Sequence, residues 1–312
     1  MHRKRQVVQD SDLPKGMKDV SERQNRIFAR TLHNHEQYAR QMAKTRRFLK
    51  TVNHFEDIHS YLPFDLANPL NFAIACLVSF VVIVLRYFAI AGLFYGIFWW
   101  RPSSLRRQRA LYSVSNRSPQ IRQEIFWSIT ASAIFAVGGA LTGLAWQNGW
   151  TQIYLRFDEY PYWYLPVSLL LFSLVHDVYF YFSHRWMHIP WIYKRVHYVH
   201  HLSREPSPWA SFCFHPLESL VEALILPLLV VIIPIHPVMF IVYLTLMTVS
   251  AVNNHLGYEL LPAWAMRLGV DRLLISGRNH ALHHKLYRCN YALYFTFLDR
   301  QLGTLSNASS ET

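Results

Sequence analysis

Eight histidines in the second half of the 312-residue chain fall into three clusters. The clusters are His184-x-x-x-His188, His197-x-x-His200-His201 and His280-x-x-His283-His284. Residues three and four apart share one face of a helix, so each cluster can aim two or three imidazoles at a common point. Imidazole is a favoured ligand of iron, copper and zinc. Eight such ligands exceed the need of one tetrahedral zinc and suit two metals that each keep an open position.

Clustering is what separates these histidines from ordinary ones. His236, between Pro234 and Pro237, is more simply a packed or interfacial side chain. Clustered imidazoles without a metal would mainly face one another, and buried polar groups need partners. The spacing therefore predicts a metal centre, and it leaves the lone histidine outside that centre.

The composition is that of a membrane protein. Hydrophobic residues make up 52% of the chain and charged residues 16%, against about 25% charged residues in a soluble domain. The three cysteines, Cys76, Cys213 and Cys289, are far apart and form no C-x-x-C pair. Neither a disulfide framework nor a thiolate zinc site is expected.

The net charge of +12 is concentrated beside apolar segments. Residues 1–50 contain thirteen Lys or Arg against five Asp or Glu, and residues 101–122 contain six Arg. Basic stretches beside apolar helices are typical of the cytosolic side of membrane proteins. We therefore expect contact with a membrane and no nucleic-acid partner.

Four long apolar segments must position the histidines. They cover residues 69–100, 121–146, 162–182 and 217–252. The last segment is interrupted at Pro234-Ile-His-Pro237, which predicts a helical hairpin. The first is long enough for one tilted span or for a hairpin broken near Arg86. The charge pattern favours the hairpin, because it keeps the basic tail and the basic loop on one side.

These elements predict an all-α integral membrane bundle of about four to six membrane-embedded helices. The three clusters would form a histidine-rich centre with two metals at one end of this bundle. The predicted organisation is a basic, partly disordered tail over residues 1–68, the membrane-embedded domain over 69–305 and a flexible C-terminus over 306–312. By the charge count, all three clusters lie on the cytosolic side.

Longer motifs around the histidines resemble the fatty acid hydroxylase superfamily, and within it the sterol C-5 desaturase (lathosterol oxidase) branch. The resemblance rests on His176-Asp177-Val-Tyr-Phe-Tyr-Phe-Ser-His184-Arg185-Trp-Met-His188, Tyr193-Lys194-Arg195-Val-His197-Tyr-Val-His200-His201, Phe214-His215-Pro216-Leu-Glu218, His280-x-x-His283-His284 and Asn290-Tyr291…Asp299-Arg300…Gly303-Thr304. It extends over about residues 70–305 and is most specific between 176 and 304.

The resemblance implies a scaffold of membrane helices under a helical cap on the cytosolic side, which holds the two-metal centre. It also implies a membrane oxidase with two iron ions as cofactor and O2 as co-substrate, which hydroxylates or desaturates a lipid. A sterol-like substrate is favoured, with a fatty-acyl or other lipid as the alternative. The implied metal ligands are His184, His188, His197, His200, His201, His255, His280, His283 and His284. Among these, His255 follows from the resemblance alone, since no cluster spacing marks it.

Five further residues are predicted to lie beside the metals or the substrate. Asp177 and Glu218, with Glu222, could accept the second imidazole N–H of a ligand and so fix its orientation. His176 is expected next to the ligands rather than among them, and His215 to touch substrate or metal. No residue apart from the metal ligands is assigned a catalytic role.

The chain has no dinucleotide, flavin or haem-binding motif. Electrons must therefore come from a separate donor, either a cytochrome b5-like or a ferredoxin-like protein with its reductase. Lys194, Arg195 and Arg204 could attract the acidic surface of such a donor. The expected location is the endoplasmic reticulum of a eukaryote or the cytoplasmic membrane of a bacterium.

Two alternatives belong to other classes of protein. A metal transporter would place polar residues at mid-membrane depth, whereas here the histidines lie at the ends of spans. A non-catalytic metal-binding or lipid-binding relative would be marked by lost ligands, and the clusters are complete.

Overall fold

The computed structural model describes residues 64–100, 103–113 and 118–306, together with the single positions His33 and Gln37. Most of the predicted tail over residues 1–68 and of the predicted C-terminus over 306–312 lies outside these residues. Within the described part of the chain, every regular element is a helix, and only three isolated β-bridges occur. The predicted all-α fold is confirmed.

The described residues form eleven α-helices. They are α1 Pro69–Tyr95, α2 Ser104–Arg107, α3 Ser118–Gln147, α4 Tyr164–Met187, α5 Pro190–Tyr193, α6 Pro216–Ala223, α7 Ile225–Ile232, α8 Pro237–Asn254, α9 Ala263–Arg267, α10 Gly277–Leu286 and α11 Phe297–Gln301. Short 3-10 helices cover His200–Leu202, Pro208–Phe212 and Val270–Arg272. Four helical segments are long and apolar enough to cross a membrane: Pro69–Trp100, Ser118–Gln147, Tyr164–Met187 and Pro237–Asn254.

The first of these segments is one continuous helix. Asn68 caps α1 by accepting hydrogen bonds from the backbone N–H groups of Leu70 and Asn71, and a π-helical turn, Gly96–Trp100, continues it. The predicted hairpin near Arg86 is therefore wrong. A turn inside an apolar segment would leave backbone groups without partners, and one arginine without a neighbouring proline or glycine does not break a helix.

The predicted hairpin around Pro234 is confirmed. Its first arm consists of α6 and α7, and its second arm is α8. Pro237 is the first residue of α8, where its missing N–H costs no hydrogen bond, and the His236 side chain accepts from the backbone N–H of Val238. His236 is thus a helix cap, as expected for a histidine outside the clusters.

Helices α1 and α3 run in opposite directions. At one end, the Gln147 side chain binds the backbone of Phe64 and Leu66. At the other end, the Trp99 indole donates to the carbonyl of Leu256, at 2.8 Å. The glycines of α3 allow close packing, since a Cβ added at Gly139 would lie 3.6 Å from the Ser79 side chain.

Helices α4 and α8 run in the same direction, with the Phe172 and Tyr243 rings 5.2 Å apart. Both helices end beside the histidines, so all three clusters meet at one end of the bundle. Residues 188–215 and 255–304 form a cap over this end. Within the cap, Asp299 accepts from the backbone N–H groups of Tyr291 and Ala292, each at 2.9 Å.

Candidate metal centre

Nine histidines meet in two groups at the junction of bundle and cap. Group one consists of His184, His188, His197, His201 and His283, and group two of His200, His255, His280 and His284. Within each group, the potential ligand atoms lie within 4.8 Å of one another. These are the nine residues that the sequence proposed as ligands, and the structure brings all of them together.

The cluster spacing decides which group each histidine joins. The pairs four residues apart share a group: His184 with His188, His197 with His201, and His280 with His284. The third member of each triple, His200 or His283, points into the other group. Each cluster was expected to aim two or three imidazoles at a common point, and in each cluster two do so. The third imidazole points elsewhere because adjacent helical residues project about 100° apart.

Within each group, the imidazole Nε2 atoms converge. In group one, the Nε2 to Nε2 distances are 3.1 Å for His184 and His197, 3.3 Å for His188 and His201, and 3.2 Å for His201 and His283. In group two, they are 3.2 Å for His200 and His255, 2.9 Å for His255 and His280, and 3.1 Å for His280 and His284. Two nitrogens bound at right angles to one metal, each about 2.1 Å from it, are about 3.0 Å apart.

The Nδ1 atoms on the other side of five rings donate to oxygen. His184, His255 and His283 donate to the carbonyls of Tyr291, Ala251 and Cys289 at 2.8, 2.7 and 2.7 Å. The remaining two are His197, which donates to Glu218 Oε1 at 2.7 Å, and His200, which donates to the Cys213 carbonyl at 3.3 Å.

This arrangement leaves lone pairs facing lone pairs. A neutral imidazole has one N–H, so a ring that donates from Nδ1 has only a lone pair at Nε2. His184 and His197 are such a pair, and so are His200 and His255. Their short Nε2 contacts are therefore not hydrogen bonds. A cation between the nitrogens would turn this repulsion into coordination, so the residues fit a bound metal in each group.

The cap histidines are held in the neutral form that metals bind. Burial, with neighbouring imidazoles adding to it, lowers the pKa of His188 to about 2. Burial lowers the pKa of His255 to about 4, although its hydrogen bond to the Ala251 carbonyl opposes this shift. The pKa values of His197, His200 and His280 also lie well below that of free imidazole, with burial as the largest cause.

Glu218 makes the contact that the sequence suggested for it. It is 1% exposed on α6, and its Oε1 accepts the Nδ1–H of His197. The contact fixes the tautomer and ring plane of His197. The other carboxylate oxygen of Glu218, Oε2, is buried without a hydrogen-bond partner in the described part of the chain.

The contacts of Asp177 differ from the predicted ones. Its Oδ1 accepts from the backbone N–H groups of Leu293, Tyr294 and Phe295, at 3.0, 2.7 and 3.4 Å, and not from an imidazole. A buried carboxylate needs donors, and the turn after Tyr291 supplies three backbone N–H groups. Asp177 therefore ties α4 to the cap segment.

The two remaining predicted neighbours have different positions. His176 Nδ1 hydrogen-bonds the Tyr243 hydroxyl at 2.6 Å and the Tyr294 hydroxyl at 3.2 Å, outside both groups. His215 caps α6, where its Nδ1 accepts from the backbone N–H of Leu217. Because His215 belongs to neither group and does not line the adjoining cavity, no contact supports a role for it at the metals or the substrate.

An apolar cavity of about 310 Å³ adjoins both groups. Five of the nine histidines line it, namely His184, His197, His200, His255 and His280. Its walls are otherwise mainly apolar side chains of α1, α3, α4, α6, α7 and α8, such as Phe180, Leu244 and Met247. A long apolar molecule in this cavity would lie against the histidines.

Some residues that shape the centre gave no sequence signal. The carbonyls of Cys213, Ala251 and Cys289 orient ligands, but a backbone acceptor can belong to any residue type. Asp299 holds Tyr291, whose carbonyl accepts from His184. Asp299 and Tyr291 both belong to the motif Asn290-Tyr291…Asp299-Arg300 that carries the family resemblance, but only the fold shows the contact between them.

The chain is similar in sequence to a family of known proteins in the region that holds the two histidine groups. Residues 169–304 fit the family model described as Fatty acid hydroxylase. The predicted resemblance to the fatty acid hydroxylase superfamily is confirmed. All nine histidines of the two groups lie inside the matched region.

Curated relatives fall in the sterol C-5 desaturase branch. The chain is 31% identical to Delta(7)-sterol 5(6)-desaturase ERG3B of Gibberella zeae, over 59% of this chain and 56% of that protein. It is 29% identical to lathosterol oxidase of Homo sapiens, over 61% and 63% of the two chains. It is also 29% identical to Delta(7)-sterol 5(6)-desaturase ERG3A of Gibberella zeae, over 77% and 65%.

The sequence similarity therefore covers only part of each relative. The chain spans 56 to 65% of the length of these three relatives. No solved structure matches the chain significantly.

Proposed function

We propose that this protein is a membrane oxidase that uses two iron ions and O2 to hydroxylate or desaturate a lipid, with a sterol as the favoured substrate. The observation that supports this most directly is the pairing of Nε2 lone pairs across each histidine group. Group one offers five nitrogen donors, one more than a tetrahedral zinc site uses, which suits a metal of higher coordination number. Group two offers four, which an iron ion could also bind while keeping positions open. The names of the relatives support the oxidase class and the sterol.

The two reactions share one requirement for electrons. Hydroxylation places one oxygen atom of O2 in a C–H bond and releases the other as water, which consumes two electrons and two protons. Desaturation removes two hydrogens from neighbouring carbons, and both oxygen atoms leave as water with the same two electrons and two protons. When bound, the iron pair would supply the O2 activation that no side chain provides.

The protein's own groups would orient the ligands. Glu218 and the carbonyls of Tyr291 and Cys289 fix the rings of His197, His184 and His283 in group one. The carbonyls of Cys213 and Ala251 do the same for group two. Ligands held in advance in their bound orientation lose little freedom when the metals bind.

The apolar cavity would hold the lipid. It lies among the helices that cross the membrane, so a lipid could enter it without passing through water. Its mostly apolar walls exclude water from the reacting carbon. A transporter would need polar sites along the bundle, whereas all nine histidines lie at one end.

The electron donor would approach from the cap. A second recess, of about 650 Å³, is lined by the exposed basic residues Arg204, Arg278 and Lys285 and reaches His284 of group two. Basic side chains around a recess that reaches a ligand would attract an acidic carrier. We propose a cytochrome b5-like or ferredoxin-like donor here, with its reductase.

The proposed orientation rests on the charge of the segments next to the membrane helices, where residues 51–68 contain no Lys or Arg and residues 101–122 contain six Arg. Arg106, Arg107 and Arg109 lie between α1 and α3, at the same end of the bundle as the histidines. We propose that this end faces the cytosol, in the endoplasmic reticulum of a eukaryote or the cytoplasmic membrane of a bacterium.

The proposal is tested by turnover of a named sterol. Purified, iron-supplemented protein is incubated with lathosterol, O2 and an electron source, and products are separated by mass spectrometry. Loss of two hydrogens identifies desaturation, and gain of one oxygen identifies hydroxylation. Neither product, from protein that holds its metals and is offered sterol, fatty-acyl and sphingoid lipids in turn, would contradict the oxidase function.

A further inference from the structure

Four buried polar atoms on the wall of the apolar cavity have no partner in the described part of the chain. They are Arg86 Nε, Ser211 Oγ, Glu218 Oε2 and Glu222 Oε1. Buried polar atoms in proteins are nearly always hydrogen-bonded, and those left unpaired are costly. Four such atoms on one cavity indicate that the cavity receives a polar group.

The chemistry of these atoms favours a hydroxyl as that group. Arg86 Nε can only donate a hydrogen bond. Burial raises the pKa of Glu222 to about 8, and its carboxyl group can accept a hydrogen bond in either protonation state. Within the described residues, no ion pair joins Arg86 to Glu222, so neither satisfies the other. A hydroxyl both donates and accepts, whereas an ester or ether oxygen has no proton to donate to Glu222.

The position of Glu222 links this group to the histidines. Glu222 follows Glu218 by four residues on α6, so the two side chains share a helix face, about 6 Å apart along the axis. Glu218 holds His197. A hydroxyl bound at Glu222 would therefore place carbons a few bonds away from it beside the histidines.

We propose that Glu222 and Arg86 form a hydroxyl-binding subsite that sets the depth at which a lipid alcohol lies against the two histidine groups. This inference rests on the proposed function and names the feature of the substrate that the cavity recognises. A sterol fits, since it has one hydroxyl on an apolar ring system, and its carbons 5 and 6 are two and three bonds from the carbon that bears the hydroxyl.

Binding to a series of ligands tests the subsite without turnover. Lathosterol, its 3-methyl ether and the hydrocarbon cholest-7-ene are titrated into purified protein. The ether keeps an acceptor and has lost the donor, and the hydrocarbon has neither. We expect the wild-type protein to bind lathosterol about tenfold or more tightly than cholest-7-ene, with the ether between them.

Two variants test separately the hydrogen bond that the hydroxyl donates to Glu222 and the one that it accepts from Arg86. Glu222→Leu is expected to bind lathosterol and its ether equally, because the acceptor for the hydroxyl proton is gone. Arg86→Met is expected to keep that difference and to lose the difference between ether and hydrocarbon. Glu222→Gln keeps an acceptor oxygen and should discriminate nearly as well as wild type. Leu85→Met, an exposed position on α1, serves as the control.

The metal content of every variant is measured alongside binding. Equal binding of all three ligands by wild-type protein, no binding of lathosterol, or unchanged discrimination in Glu222→Leu would each overturn the subsite. If Glu222→Leu does not fold, the ligand series with wild-type protein and with Glu222→Gln still tests whether the cavity recognises a hydroxyl. Absence of metal or of any oxidation product would refute the proposed function instead, and this binding series does not depend on either.

Discussion

The two histidine groups are anchored in different parts of the chain. In group one, His184 and His283 are oriented by carbonyls of the cap segment around residues 289–291, and His197 by the carboxylate of Glu218. In group two, His200 and His255 are oriented by the carbonyls of Cys213 and Ala251. Group one thus depends on a carboxylate of α6 and on the cap loop around residues 289–291, and group two on backbone carbonyls of Cys213 in the cap and Ala251 in α8.

The groups also differ in number and surroundings. Group one has five histidines, of which two line the apolar cavity, and group two has four, of which three line it. A metal with four protein ligands keeps more positions open than a metal with five. A metal in group two would therefore keep more coordination positions free on the side of the cavity than a metal in group one.

Loss of one ligand from the four-membered group should have the largest effect. His280→Ala removes the imidazole whose Nε2 lies between those of His255 and His284. We expect lipid oxidation to fall by more than about 100-fold, beyond the range typical of residues that only orient ligands. Product formation by mass spectrometry measures this.

His236→Ala is the matched control for this substitution. His236 is also buried but donates from Nε2 to the carbonyl of Leu155, away from both groups. His236→Ala should lose the helix cap and the hydrogen bond to Leu155, about 1 kcal/mol of stability for each, and keep its activity. Equal loss of activity in both variants would show that the two groups have no special role.

Glu218→Gln should weaken group one and spare group two. An amide is a poorer acceptor for the His197 N–H than a carboxylate and gives no charge to balance the metal. We expect the affinity for one of two metals to fall about 10-fold to 100-fold, measured by competition with a chelator. Glu259→Gln is the control, since that carboxylate accepts only from backbone N–H groups. Equal weakening of both metals would contradict separate anchoring.

Asp299→Ala should act on group one through the cap loop. Asp299 accepts from the N–H groups of Tyr291 and Ala292, and the Tyr291 carbonyl orients His184. We expect up to about a tenfold loss of affinity for the group-one metal, less than for Glu218→Gln because the effect is indirect. The exposed Asp271→Ala is the control. A loss confined to the group-two metal would refute the assignment.

Arg278→Glu should give the smallest effect, on the side of group two. Arg278 lines the basic recess that reaches His284. We expect a rise of about threefold to tenfold in the KM for an acidic electron donor at low salt, and little change at high salt, where the charges are screened. Arg267→Glu, an exposed cap position outside the recess, should have less effect. A salt-independent change would argue against docking by charge.

Much of the centre was predictable because its pattern is local. Histidines four apart must share a helix face, so the pairs 184/188, 197/201 and 280/284 were visible in the sequence. Glu218 lies only 21 residues after His197 in the sequence, so a contact between the two could be proposed. The break at Pro234 and Pro237 was predictable for the same reason, since proline fixes where a helix can start.

The remaining features depend on distant contacts. His255 stands outside the clusters, and its place in group two is set by the packing of α8 against the cap. His200 and His201 belong to different groups, and this division can be seen only when the other histidines of both groups are placed in space. The distribution of charge favoured a hairpin in the first apolar segment. The structure has one continuous helix there, because a turn would leave backbone N–H and C=O groups without partners. Asp177 accepts hydrogen bonds from backbone N–H groups that lie 116 to 118 residues further along the chain.

Metal content of the detergent-purified protein tests the central claim most directly. Iron and zinc are counted per chain, by mass spectrometry, in wild-type protein and in His200→Ala and His283→Ala, which each remove one ligand from a different group. We predict about two irons per wild-type chain and a loss of iron in both variants. No bound metal after iron supplementation, or zinc that neither substitution removes, would contradict a two-iron centre at these nine histidines.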